Sequence, residues 1–486
     1  MLPHTVLQSS NSPILLSSCL YLSMNYFANA ISIHDSTVAV HDPHVLASDK
    51  MDALVQDAVF GDDETKAQAR WLIWEIGQQV GVRPSSIHDL YMARGRGECG
   101  GFTVPAINVR GAAYATARSI FRTANKLEAG AILLEIARSE IAYTDQRPAE
   151  YVSVMLGAAL REGFRGPVFI QGDHFQVNAK KYAADPVTEV GAVEALAREA
   201  IDAGFYNIDV DTSTLVDISK PTLDEQQRLN YDVCVALTRF IRQQQPNGVT
   251  VSVGGEIGEV GSHNSTVEEL RAFMDGYNRT LESGVAGLSK ISVQSGTSHG
   301  GVVLADGSIA DVKLDLNTLQ ELSLVAREAY GLAGAVQHGA STLPDDAFHH
   351  FPRTETCEIH LATNFQNMLF DAVPSSLRDE IYSWLRENAK DERKASDTDE
   401  QFFYKTRKKA LGPFKKTLWS LPQEVCVNLD RLYDAKFEFL FTQLGVAGTK
   451  PVVARTVKPL AIHRPRPGTP GFVTVTAAPD DATLSD

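Results

Sequence analysis

Between residues 103 and 362 the chain alternates eight short apolar runs with amphipathic stretches of helical period. The runs are Thr103–Val109, Ala131–Ala137, Pro167–Gly172, Tyr206–Val210, Val249–Gly254, Leu288–Val293, Ala333–Gln337 and Cys357–Ala362. Stretches such as Ala112–Leu127, Ala149–Arg161, Val187–Ala203, Leu223–Gln244, Thr266–Leu281 and Leu316–Tyr330 space their apolar residues three and four apart, as one buried helix face requires. Strands separated by helices pair in parallel, and eight such units close a (β/α)8 TIM barrel. The alternative, an open doubly wound sheet, would carry a glycine-rich phosphate loop after its first strand, and none is found.

The predicted fold is therefore α/β, a barrel within residues 51–365 that includes a helical preface from Met51 to about Met92 and a glycine-rich break at Gly97–Gly101. Residues 366–446 read as a helical C-terminal extension, broken by the charged stretch Asn388–Gln401, which reads as an exposed loop. Residues 447–486, rich in Pro, Thr and Ala and containing Arg464-Pro-Arg-Pro467, have the composition of a disordered tail. Residues 1–50 are expected to be poorly ordered or over-extended, with Met24 or Met51 as alternative initiators. Within them the apolar stretch Pro13–Ala30 ends like a secretory cleavage site, but no Lys or Arg precedes Lys50 and polar residues interrupt it.

A composition of 44% hydrophobic and 22% charged residues can build a large core, so 486 residues suit one barrel with extensions. A formal net charge of −15 argues against a nucleic-acid partner, and an anionic substrate would need a local binding device. The 5 cysteines are scattered and odd in number, with no C-x-x-C pair, which fits a reducing cytoplasm rather than a disulfide framework.

In a barrel the chemistry is carried at the C-terminal strand ends. Run three ends in Gly172-Asp173-His174, run four in Asp211-Thr212-Ser213 and run five in Gly255-Glu256. Run six leads to Ser298-His299-Gly300-Gly301, and run seven ends in His338-Gly339-Ala340-Ser341. Closure would bring His174, His299 and His338 together, and three neutral imidazoles leave a divalent ion an open position, as in a catalytic site. Zn²⁺ is the first expectation for such a donor set, with Co²⁺, Fe²⁺ or Mn²⁺ as alternatives. Gly300, Gly339 and Ser341 would let backbone N–H groups and a hydroxyl approach a phosphate.

From Ser86 to Asn364 these motifs resemble, in order, those of the class II fructose-bisphosphate and tagatose-bisphosphate aldolases. Phe102–Asn108 is similar to the family's first strand, Gly172-Asp173-His174 to its catalytic Asp beside a metal ligand, and Asp211–Leu215 to its Asp-x-Ser-x-Leu segment. Glu256-Ile-Gly258 resembles its Glu-Leu-Gly, and His299-Gly300 and His338–Ser341 resemble the other ligands with their phosphate loops. The resemblance implies a sugar-phosphate substrate chelated at the metal and Asp173 exchanging the C4 hydroxyl proton. Glu256 and Asp211 would orient ligands or hold a second cation, and Asn108, His360, Thr363 and Asn364 would touch substrate. A homo-oligomer, dimer or tetramer, is expected, with no membrane partner.

Two departures bear on the substrate. His360 stands where the family's eighth strand has an Asn, and the acidic loop after Glu-Leu-Gly is replaced by the short Glu259–Asn264, so His263 or Glu259 becomes the candidate proton donor. Three readings follow: a ketose-phosphate aldolase, a C4 epimerase or modified-sugar aldolase on the same scaffold, and a non-catalytic accessory subunit. The basic cluster Tyr404–Lys409 with Lys415 and Lys416 reads either as a solvated helix face or as a distal-phosphate or partner-subunit contact.

Overall fold

The structure, a computed structural model, describes residues 26–258, 263–296, 304, 314–473 and 477–480. All eight runs become strands: β1 (Val104–Asn108), β2 (Leu133–Ala137), β3 (Gly166–Gln176), β4 (Asn207–Asp211), β5 (Ser252–Glu256), β6 (Lys290–Val293), β7 (Ala335–Gln337) and β8 (Glu358–Leu361). Each pairs in parallel with the next, and β8 returns to β1 through Glu358↔Val104 to Leu361↔Ile107, closing the barrel. A further parallel strand, Val82–Ser85, pairs with the first residues of β3, while β4 pairs with β3 only from Gln171 onward.

Helix limits follow the local signals. The helix Leu223–Gln244 opens on a capping box in which Thr222 and Glu225 satisfy each other's backbone N–H groups. Leu316–Tyr330 starts after Asp315, whose carboxylate accepts from Asn317 and Thr318, and stops at Gly331, which takes the left-handed conformation at φ 69°. The helix Arg138–Thr144, directly after β2, was not signalled by periodicity.

The barrel floor is plugged from the preface. Helix His88–Gly95 sends the Tyr91 hydroxyl up to Glu358, and buried Arg94 donates to the carbonyls of Ala333, Phe102, Glu355 and Thr356. Those carbonyls lie where the chain enters the strands, so one guanidinium satisfies a ring of buried acceptors.

Both chain ends are ordered against the barrel over part of their length. Residues 26–50 include an antiparallel hairpin, Ile31–His34 with Thr37–Val40, and the helix Asp49–Phe60 begins within them. Composition alone reads residues 447–486 as a disordered tail. The structure instead forms the helix Lys450–Thr456 and lays residues 459–467 along the helix Asp63–Val80, because side chains there meet its backbone groups directly. Much of the basic cluster is paired within the chain: Arg407 stacks on Phe370 and Tyr404, Lys405 pairs with Asp397, Lys409 with Glu392, and Lys415 with Glu150, while Lys416 is exposed. Among the described residues no helix is long and apolar enough to cross a membrane.

Candidate active site

Side chains alternate across a strand, so residues two apart share a face. In this barrel both inward positions near the strand tops are polar. Asn108, Asp173, Asp211, Glu256, Ser292 and His360 form an upper ring joined by His338, and Gln171, Asp209, Lys290 and Glu358 lie two residues earlier with Glu135 of β2 beside them.

Alternation alone would turn His174 away from the chamber that its neighbour Asp173 enters. A bulge removes the conflict: between Gly172 and Phe175, β3 spends one residue more than β4 spends between Ile208 and Val210. His174 sits in the bulge at φ 40°, a conformation disfavoured for a residue with a Cβ. The Asp-His pair therefore presents two adjacent side chains to one cavity.

His174 and His338 aim nitrogens at each other. His174 Nε2 is 2.5 Å from His338 Nδ1. The far nitrogen of each ring is occupied: His174 Nδ1 lies 3.1 Å from Asp211, and His338 Nε2 lies 3.0 Å from the Ser292 hydroxyl. Asp211 is itself oriented by Gln176 and by the N–H and hydroxyl of Ser213, which gives the Asp-x-Ser spacing its physical meaning. Imidazoles that ligate a metal are commonly held this way, by polar partners on the remaining nitrogen. Asp173, His174 and His338 can bring ligand atoms around one cation, as can His174, Asp211 and Glu256. Burial lowers the His174 pKa, but Asp173, Asp211 and Glu256 outweigh it and raise it well above the usual range. Glu256 is raised by burial and then by Asp211. So dense a set of carboxylates calls for positive charge, which fits a metal cation.

Asp173 is held on both oxygens. Asn108 donates to one at 2.8 Å, and His360 Nδ1 is 3.1 Å from the other. Burial would raise its pKa, but His174, His360 and His338 more than offset that and keep it well below the ordinary carboxylate range. The His360 ring stacks on His338 with centroids 4.1 Å apart, and its Nε2 lies 2.8 Å from Glu358. Asn108 and His360, expected to touch substrate, thus direct these groups at Asp173.

Below them lies a charged layer whose carboxylates sequence reasoning missed. Lys290 Nζ donates to Gln171 at 2.8 Å and Asp209 at 2.9 Å, and also to Glu358, while Gln171 donates to Glu135 and Glu358. The available signal was carboxylates inside apolar runs, since strands buried on both faces otherwise read as continuous apolar sequence. Burial lowers Lys290, but Asp209 and Glu358 outweigh it and raise it, which favours the ammonium over a nucleophilic amine. Lys290→Met should lower unfolding stability by about 3–5 kcal/mol, because two buried carboxylates lose their cation. Urea unfolding measures this, and an unchanged midpoint would show that the layer is not held by Lys290.

Other expected residues lie at the rim. His263 is exposed, with Nε2 3.0 Å from Glu269 at the start of the following helix. Gly339 takes φ 67°, and the Ser341 hydroxyl accepts from the Ala362 N–H, tying the loop after β7 to the end of β8. Thr363 is buried and Asn364 half-buried at the start of the helix Thr363–Ala372. His299, Gly300 and Glu259 lie outside the described residues.

No curated protein matches the chain. Among solved structures, the chain is similar to the YdjI aldolase from Escherichia coli at 12% identity, covering 75% of this chain and 99% of the other with a TM-score of 0.46. The fructose-bisphosphate aldolase from Campylobacter jejuni gives 15% identity, 75% and 97% coverage and a TM-score of 0.46. The fructuronate-tagaturonate epimerase UxaE from Cohnella laeviribosi gives 12% identity, 71% and 82% coverage and a TM-score of 0.52. At 12% identity the likeness to the last of these concerns the fold alone. The model of the family "Fructose-bisphosphate aldolase class-II" matches residues 96–417, more than half of the chain and all eight barrel strands, and the chain belongs to that family.

Proposed function

We propose that the protein is a divalent-metal-dependent aldolase that reversibly cleaves a ketose phosphate, of the fructose 1,6-bisphosphate type, to dihydroxyacetone phosphate and an aldehyde. The observation that carries this reading is the convergence of His174 Nε2 and His338 Nδ1 beside a carboxylate, Asp173, held on both oxygens. His174 and His338, with His299 as third ligand, would hold the cation, for which Zn²⁺ is the best match and Co²⁺, Fe²⁺ or Mn²⁺ also suit. When bound, the ion supplies Lewis-acid polarisation of the substrate carbonyl. Glu256 and Asp211 orient His174 or share in a second cation position.

Asp173, kept ionised by its histidine neighbours, takes the C4 hydroxyl proton. The C3–C4 electron pair then passes to the ketone half, C4 leaves as an aldehyde, and a separate donor protonates C3. His263 and Glu259 are the candidates for that donor, and Gly300, Gly339 and Ser341 for phosphate contact. Thr363 and Asn364 would line the substrate's other side. A cytoplasmic homo-oligomer fits this reading, and four cysteines among the described residues are free.

A second reading, C4 epimerisation, draws support from His360 on β8, a proton-carrying group beside Asp173. Cleavage followed by re-addition to the other aldehyde face needs the same groups. Incubation with fructose and tagatose bisphosphates and with unphosphorylated ketoses, with product analysis, separates them. Triose phosphate release supports the aldolase, epimer without triose phosphate supports the second reading, and no turnover of any ketose would refute both.

A further inference from the structure

We propose that the helix Asp63–Val80 is a sequence-specific binding site for an extended arginine–proline peptide, and that residues 459–467 of this chain are its built-in ligand. The site lies on the preface helix, whereas the candidate catalytic groups gather at the C-terminal strand ends.

Backbone contacts set the register of the segment, and the side chains of His463, Arg464 and Arg466 select its sequence. Trp74 Nε1 donates to the Ile462 carbonyl at 2.7 Å, Trp71 Nε1 to the Arg464 carbonyl at 3.1 Å, and Arg83 to the Pro459 carbonyl at 3.1 Å. Gln68 makes a longer contact of 3.5 Å to the Pro467 carbonyl. In the other sense, the Ile462 N–H donates to Gln78 Oε1 at 3.0 Å and the Arg464 N–H to Glu75 Oε1 at 2.8 Å. Two arginines complete the fit, Arg464 over the Trp74 ring and Arg466 over Trp71.

The segment runs antiparallel to the helix. Receptor positions 68, 71, 74/75 and 78 fall on one helix face, and peptide positions 467, 464 and 462 meet them in reverse order. Pro465 and Pro467 lack N–H groups, and the contacts at this end are made through carbonyls.

Three polar side chains of this helix face find partners in the segment. Gln68, Glu75 and Gln78 are all nearly or fully buried, at 1%, 0% and 2% exposure, on a helix that also buries Leu72, Ile73 and Ile76. Glu75 meets the Arg464 N–H and His463 Nδ1, both from the peptide. Aromatic N–H donors and an arginine-proline segment are the elements of proline-rich peptide recognition in general. Specificity therefore resides in local chemistry, and the segment should bind without being covalently attached.

The test uses the full chain with a protease site inserted between Thr456 and Val457, cut after folding. The freed 457–486 fragment should remain bound through gel filtration and be displaced by excess synthetic 457–480 peptide, with a change in tryptophan emission. A scrambled peptide of the same composition should compete at least about tenfold less well, and Trp74→Ala should weaken retention by a similar factor. Immediate loss of the fragment from a folded barrel, or equal competition by the scrambled peptide, would overturn the proposal. If Trp74→Ala does not fold, Glu75→Gln replaces it, and retention equal to that of the unsubstituted chain counts against the site.

Discussion

Asp173→Ala is expected to cut kcat by about 10²–10⁴-fold, the usual contribution of a positioned acid–base group, while metal content stays near that of the unsubstituted protein. The separation arises because the anchors of the two imidazoles do not depend on Asp173: His174 keeps Asp211, and His338 keeps Ser292. Its neighbours also keep partners, since His360 retains Glu358 and Asn108 retains Glu140. Proton exchange at C3 of dihydroxyacetone phosphate should fall much less than cleavage, because it does not require the C4 hydroxyl proton to move. Equal loss of both would place Asp173 among the metal ligands instead.

The second large effect concerns the metal. His338→Ala should reduce affinity for a divalent ion by more than about 100-fold, since even partners one step removed from a metal commonly contribute 10–100-fold. Asp211→Asn should fall within that smaller range, because it removes charge from the anchor of His174 but leaves the imidazole. Elemental analysis of purified protein and titration with a competing chelator measure both. Unchanged occupancy in His174→Ala/His338→Ala would eliminate this centre, and activity that survives complete chelation would eliminate the metal-dependent mechanism.

The barrel was legible because eight parallel strands must be apolar and the helices between them amphipathic. Leu223–Gln244 and Leu316–Tyr330 were readable to the residue, since their starts and stops are local chemistry at Thr222, Asp315 and Gly331. Strand β3 was not: it continues past Gly172 to Gln176 through a bulge that only the neighbouring strand defines. Asp173, His174, Asp211, Glu256 and His338 could be picked out as polar residues at strand ends. Glu135, Asp209 and Glu358 were passed over although they stand inside apolar runs, because each is tolerable there only through partners supplied by other strands. His263 illustrates the opposite limit, a residue near the right place in sequence whose side chain is paired with Glu269. Residues 459–467, read as part of a disordered tail, have a composition that cannot build a core, but Trp71, Trp74 and Glu75 hold their backbone.

That distant pairing also imposes an order of events on the ribosome. Trp74 and its partner Ile462 are separated by 388 residues, so at ~5–20 residues per second the preface helix waits roughly 20–80 s after its own synthesis for the segment that covers it. Throughout that interval two indole rings and a carboxylate suited to the interior face solvent on a nascent chain. Slowing elongation anywhere between Trp74 and Ile462 should prolong this vulnerable period and increase the nascent chain's dependence on chaperones.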